Sequence, residues 1–158
     1  MLASDYQRPA QLYFHGERGS LQRALQQGEF VLQVLGSGAG GCLSLSFHQT
    51  LQASLLQSDA SDDCCLVILQ SEKFGERLHA AMQKMLPNWV GIDGAVQYGG
   101  RSPLGNLFTK PLAMAHEQEW LFAWRSSQKT ATQLHPIIVK MGSIEKLAEL
   151  REQASGSC

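Results

Sequence analysis

Apolar and polar positions change period several times along the chain, and each change marks an element. Leu12, Tyr13, Phe14 and His15 read as a short strand that ends at Gly16. Ser20 can cap a helix running to Gln27, with Leu21, Ala24 and Leu25 on one stripe and Gly28 as its stop. Residues 29–35 predict a second strand, and the glycines between Gly36 and Gly41 a flexible connection. Residues 42–47 alternate with period two, so Leu43, Leu45 and Phe47 face one way and Ser44 and Ser46 the other. A short helix is expected where Leu51 and Leu55 stand one turn apart, then a polar loop over 59–63. The apolar run 64–69 predicts a strand covered on both faces. Ser71 would cap a helix whose Phe74, Leu78, Met82 and Met85 recur at helical spacing.

The second half is less regular. Residues 87–93 read as irregular, with Trp89 and Ile92 packed inward. A strand is expected over 95–98, a loop over 99–106, and an edge strand over 108–112, where Pro111 cannot donate to a ladder. Residues 117–125 give the strongest strand of this half, and 135–141 another. Ser143 would cap a last helix with Ile144, Leu147 and Leu150 on one side.

Composition narrows the class. The chain has 158 residues, the size of one domain, with a polar tail expected over 1–10 and a small flexible one over 154–158. A formal net charge of −1 argues against a broad electrostatic grip on nucleic acid. No apolar run reaches membrane-spanning length and residues 1–10 hold no signal region, so a cytoplasmic protein without a membrane partner is expected, with export that needs no cleaved signal left open. The cysteines Cys42, Cys64, Cys65 and Cys158 form no C-x-x-C pair, so neither a metal nor a disulfide framework is expected.

Few positions carry chemistry by themselves. Gly36, Gly38 and Gly41 match G-x-G-x-x-G, but a dinucleotide turn must open a helix, and here an alternating strand follows; a hairpin connection fits better. Glu117 and Glu119 would share one face of a strand while Trp120, Phe122 and Trp124 share the other. The aromatic side is core; the paired carboxylates are either a solvated face or part of a cleft.

The order of these pieces resembles the ADP-ribosyltransferase superfamily. The segment LYFHGERGSLQRALQQGEF is similar to its opening strand, His-Gly step and helix. CLSLSF stands where its serine-bearing strand lies, and FTKPLAMAHEQEWLFAW resembles the region delivering its catalytic glutamate, written E-x-E or Q-x-E. The last of these, with HPIIVKMGSIEKLAEL, is also similar to an uncharacterised bacterial family distantly related to these enzymes. The chain combines the histidine of one branch with the serine strand of the other; Tyr13 and Tyr98 are the candidates to stack on nicotinamide.

The resemblance implies an α+β fold in which two small, mainly antiparallel sheets enclose a cleft flanked by short helices. It implies an enzyme that takes NAD as substrate and transfers ADP-ribose to a protein, a nucleic acid or water, in the manner of bacterial toxins and effectors. Glu119 would be the catalytic glutamate and Glu117 the residue serving the acceptor. His15 would bond a ribose hydroxyl, the Gly16 backbone would hold the nicotinamide amide, and Ser44 or Ser46 would steady the glutamate. The alternative is a binding protein on the same layout without turnover.

Overall fold

In a computed structural model of the chain, residues 7–36, 41–51, 64–127 and 134–152 can be described. The glycine connection at 37–40, the helix expected near Leu55, the loop at 59–63, Cys158 and the tail at 154–158 lie outside the described residues.

In the first half, strands form where they were expected. β1 is Leu12–Gly16, β2 Glu29–Leu35, β3 Cys42–His48 and β4 Cys64–Ile68, the last buried at every position. Between β1 and β2 lies α1, Arg18–Gln27. It begins two residues before Ser20, which falls inside the helix, and ends on Gly28 with φ 63°, a left-handed stop that glycine adopts without strain. α2, Ser71–Met85, turns Phe74, Leu78 and Met82 into the core and leaves Met85 exposed. Ser71 is its first residue, not its cap, and its hydroxyl bonds the carbonyl of Pro9.

Several expectations change in the second half. Residues 89–95 form a regular strand, β5 (Trp89–Ala95), with Ile92 exposed instead of packed inward. Its glycines disguise it: they weaken strand propensity, yet at Gly91 and Gly94 a side chain would run into Trp124 and Leu104. The edge strand expected over 108–112 shrinks to β7, Thr109–Lys110, which pairs in parallel with β6, Gln97–Tyr98. The stretch after Ser143, helical in composition, becomes a turn and then β10, Ala148–Glu152. Tertiary pairing overrides propensity here. β10 lies antiparallel along the whole free edge of β4, from Ala148 opposite Ile68 to Glu152 opposite Cys64.

β8, Glu119–Ser126, and β9, Ile137–Lys140, complete an α+β fold whose main sheet is antiparallel throughout. Two separate small sheets were expected. Among the described residues there is one eight-stranded sheet that forks at β3, plus the β6–β7 ribbon. One edge of β3 is taken by β8 from Leu43 to His48. The other is shared: β2 pairs with residues 42–44, and β1 meets β3 only where Tyr13 faces His48. Between these points β1 and β2 part, and residues 45–47 form the throat of the fork.

The two faces of the sheet are built differently. Leu45, Phe47, Trp120 and Phe122 pack with Phe30, Phe74 and Leu78 beneath α1 and α2 into the main core. The opposite face carries Ser46, His48 and Glu119, then Cys42, Leu121 and Ala123 under Val96 and Phe108. No described helix is long and apolar enough to cross a membrane.

Candidate active site

The polar positions of β1, β3 and β8 meet at the throat of the fork. Antiparallel register sets His48 directly opposite Glu119 and Tyr13 opposite His48, so all three side chains leave the same face of the sheet. His15 and Ser46, each two residues along, share that face.

Glu119 is the centre of the arrangement. It is 6% exposed, although the alternation allowed it an open face. Ser46 donates from Oγ to its Oε2 at 2.5 Å. Lys110 forms an ion pair with Oε1, and the Tyr98 hydroxyl lies 3.4 Å from the same oxygen while accepting the Glu119 amide at 3.0 Å. The parallel ribbon sets Tyr98 beside Lys110, so both reach Glu119 together. Burial pushes the carboxyl up, but hydrogen bonds from Lys110 and Ser46 and the Lys110 charge outweigh it and hold Glu119 below its ordinary range. It is an ionised carboxylate fixed in a protein interior. Burial also pushes the Tyr98 phenol up to about 12, with the Glu119 charge adding to it, so Tyr98 stays neutral and can donate.

Glu117 departs from expectation. The segment Leu112–Glu117 is a 3₁₀ turn, not strand, and Gln118 follows in the left-handed region at φ 43°. That residue breaks the period-two count, so Glu117 and Glu119 do not project side by side from one strand. Glu117 still borders the site. Its carbonyl lies 2.6 Å from Nδ1 of His48, and its Oε1 is buried without a hydrogen-bond partner.

His15 reaches the face at the end of β1. Both its ring nitrogens are buried and unpartnered, and its ring stands 5.5 Å from that of His48. Burial, with a smaller push from His48, lowers its pKa to about 4. Gly16 pairs with Cys64 at the strand end. The two serines separate. Ser46 touches Glu119, whereas Ser44 spends its hydroxyl on the Gln33 carbonyl of the neighbouring strand at 3.2 Å, away from the carboxylate. Tyr13 shares the face but bonds Gln11 at 3.1 Å. No stacked pair between either tyrosine and another ring is formed among the described residues.

Three residues of the site carried little sequence signal. His48 continues the Ser44–Ser46 alternation by one step, and that extension was its only mark. Lys110 and Tyr98 arrive on the two-residue strands of the ribbon, too short to show a period. Farther along the same face lies a cavity of about 340 Å³, lined by Cys42, Ile92, Leu107, Phe108, Ala123 and Arg125. It is apolar, and the carboxylate does not line it.

No protein-family model, no curated protein and no solved structure matches this chain significantly.

Proposed function

We propose that this protein is an NAD-consuming enzyme of the ADP-ribosyltransferase type, cleaving nicotinamide from NAD and passing the ribosyl group to a macromolecular acceptor or to water. The observation that carries the proposal is the Ser46–Glu119 pair at the throat of a forked sheet, with His15 on the same face. Breaking the ribosyl–nicotinamide bond builds positive charge on the sugar. A carboxylate already ionised, already desolvated and held by a serine is suited to stabilising that charge. The lowered pKa of Glu119 and its burial are what this role requires. His15, kept neutral by burial, has two unused nitrogens with which to bond a hydroxyl of the sugar. The Gly16 backbone lies next to it at the strand end.

The fork itself supports an ADP-ribosyltransferase-like fold. It divides at β3, the strand that pairs with β8, as two sheets meeting around a cleft would divide.

One observation favours a second reading, a binding protein without turnover. Both Glu119 oxygens are already engaged, Oε2 by Ser46 and Oε1 by Lys110 and Tyr98. A catalytic Glu119 must exchange the Lys110 contact for the ribose.

Release of nicotinamide from NAD by the wild type and by Glu119→Gln separates the readings. The enzyme reading expects release from the wild type and a fall of about a hundredfold in the variant, the scale seen when one preorganised electrostatic group is removed. Binding of NAD without release by the wild type would leave the second reading. Full activity in Glu119→Gln would remove Glu119 from the chemistry.

A further inference from the structure

We propose that His48 is the general base of this site, taking the proton from a water or hydroxyl nucleophile as it attacks the ribose; the inference rests on NAD cleavage at Glu119 as proposed above. His48 stands directly across the strands from Glu119 and 5.5 Å, ring to ring, from His15. Its Nδ1 lies 2.6 Å from the carbonyl oxygen of Glu117. A carbonyl only accepts, so Nδ1 carries the hydrogen, and in the neutral ring Nε2 is left with the lone pair. Nε2 bonds to no described residue. A backbone carbonyl therefore does for His48 what an orienting carboxylate does in a catalytic triad: it fixes the tautomer and aims the basic nitrogen.

The neighbours are unsuited to the task. His15 has neither nitrogen bonded, so nothing orients its tautomer, and with a pKa near 4 it is a weak base. Glu119 is held below the ordinary carboxylate range and is occupied by Ser46 and Lys110. Lys110 is spent on that ion pair. Tyr98 stays protonated at neutral pH. Next to the left-handed Gln118, which takes Glu117 out of the strand, the Glu117 carbonyl meets Nδ1 of His48. In this site Glu117 serves the acceptor through its backbone, by way of His48.

The bond between C1′ of the ribose and the nicotinamide nitrogen breaks, and both electrons leave with the nitrogen, turning the pyridinium into neutral nicotinamide. The nucleophile's oxygen forms the new bond to C1′. Its proton passes to Nε2 of His48 and from there to solvent.

The test uses His48→Gln and His48→Asn in the full chain, both of which keep an amide donor for the Glu117 carbonyl. Circular dichroism identifies a variant that fails to fold, and two substitutions guard against losing the experiment to one. The inference expects NAD affinity to stay within about twofold and nicotinamide release to fall by about a hundredfold, the lower end of general-base effects. Added free imidazole should restore part of the lost rate. A wild type that releases no nicotinamide overturns the assignment of Glu119, and this inference with it. An active wild type whose folded His48 variants keep their rate overturns the inference alone. So does a loss of rate accompanied by an equal loss of NAD affinity and no rescue by imidazole, which would make His48 a binding residue.

Discussion

His15 holds two buried ring nitrogens with no hydrogen-bond partner, an arrangement that costs about 1–3 kcal/mol for each such group in a protein interior. A fold keeps a group like that when the group is used. His15→Leu should therefore stabilise the protein by about 1 kcal/mol in denaturant unfolding while it weakens NAD binding. The stability gain should also depend on pH. The folded-state pKa, about 4, lies below the ordinary 6.5, so between those values the unfolded chain binds a proton that the folded chain refuses. Wild-type stability thus falls as pH drops through that window, and the advantage of His15→Leu grows from pH 7 to pH 5. An advantage that is constant across that range, or a variant less stable than the wild type, would show that His15 is a packed core residue. Glu119, though buried, is held ionised by specific donors, and its substitution removes a charge on which Lys110, Tyr98 and Ser46 all converge.

Among the elements, β5 shows most clearly what the sequence could and could not convey. Most of it, within residues 87–93, read as irregular, since Gly and Asp are depleted from strands. The same glycines are what make room for its neighbours, Gly91 for Trp124 of β8 and Gly94 for Leu104. A Cβ at Gly91 would overlap the Trp124 indole and come within 2.7 Å of Nδ1 of His79, which accepts a hydrogen bond from that indole at 3.2 Å. Gly91→Ala should therefore destabilise the fold by about 1–3 kcal/mol, the usual range for overpacking. Gly100→Ala is the control, since its Cβ would come no nearer than 3.8 Å to a side chain. Equal unfolding midpoints for the two variants would contradict the tight β5–β8 contact. Strands β1 to β4 were legible because each is either an alternating or a continuous apolar run bounded by glycine or polar residues. β10 was not, because Ile144, Leu147 and Leu150 fit a helical stripe as well as a turn and strand, and only the open edge of β4 decides between them. In the candidate site the same logic holds. The Ser46 and Glu119 faces followed from alternation, while the removal of Glu117 from the strand depended on one left-handed residue, Gln118, that no periodicity announces.

At the scale of the whole molecule, the forked sheet divides structural and functional duties between its faces. The core side is fastened by an additional polar network around Asp93, which is largely buried at the edge of that core. Arg8 grips it through Nε and Nη2 at 2.7 and 3.0 Å, His79 donates from Nε2 at 2.9 Å and the Trp120 indole at 2.8 Å. Burial pushes the Asp93 carboxyl up, but the bonds from His79, Arg8 and Trp120 outweigh it and hold the group well below the usual carboxylate range. The network ties residue 8, in a segment expected to be a tail, to α2, β5 and β8. The other face keeps its polar groups at the throat, short of partners at His15 and Glu117 and centred on a fixed carboxylate. The claim that this throat is an NAD site is tested most directly by titrating NAD into isotope-labelled protein and following backbone amide shifts. The account predicts saturable changes at His15, Gly16, Ser46, His48 and Glu119 at millimolar NAD or below, with α2 and β9 unmoved. Shifts absent from these residues at saturating NAD, or confined to the apolar cavity lined by Cys42 and Arg125, would contradict it.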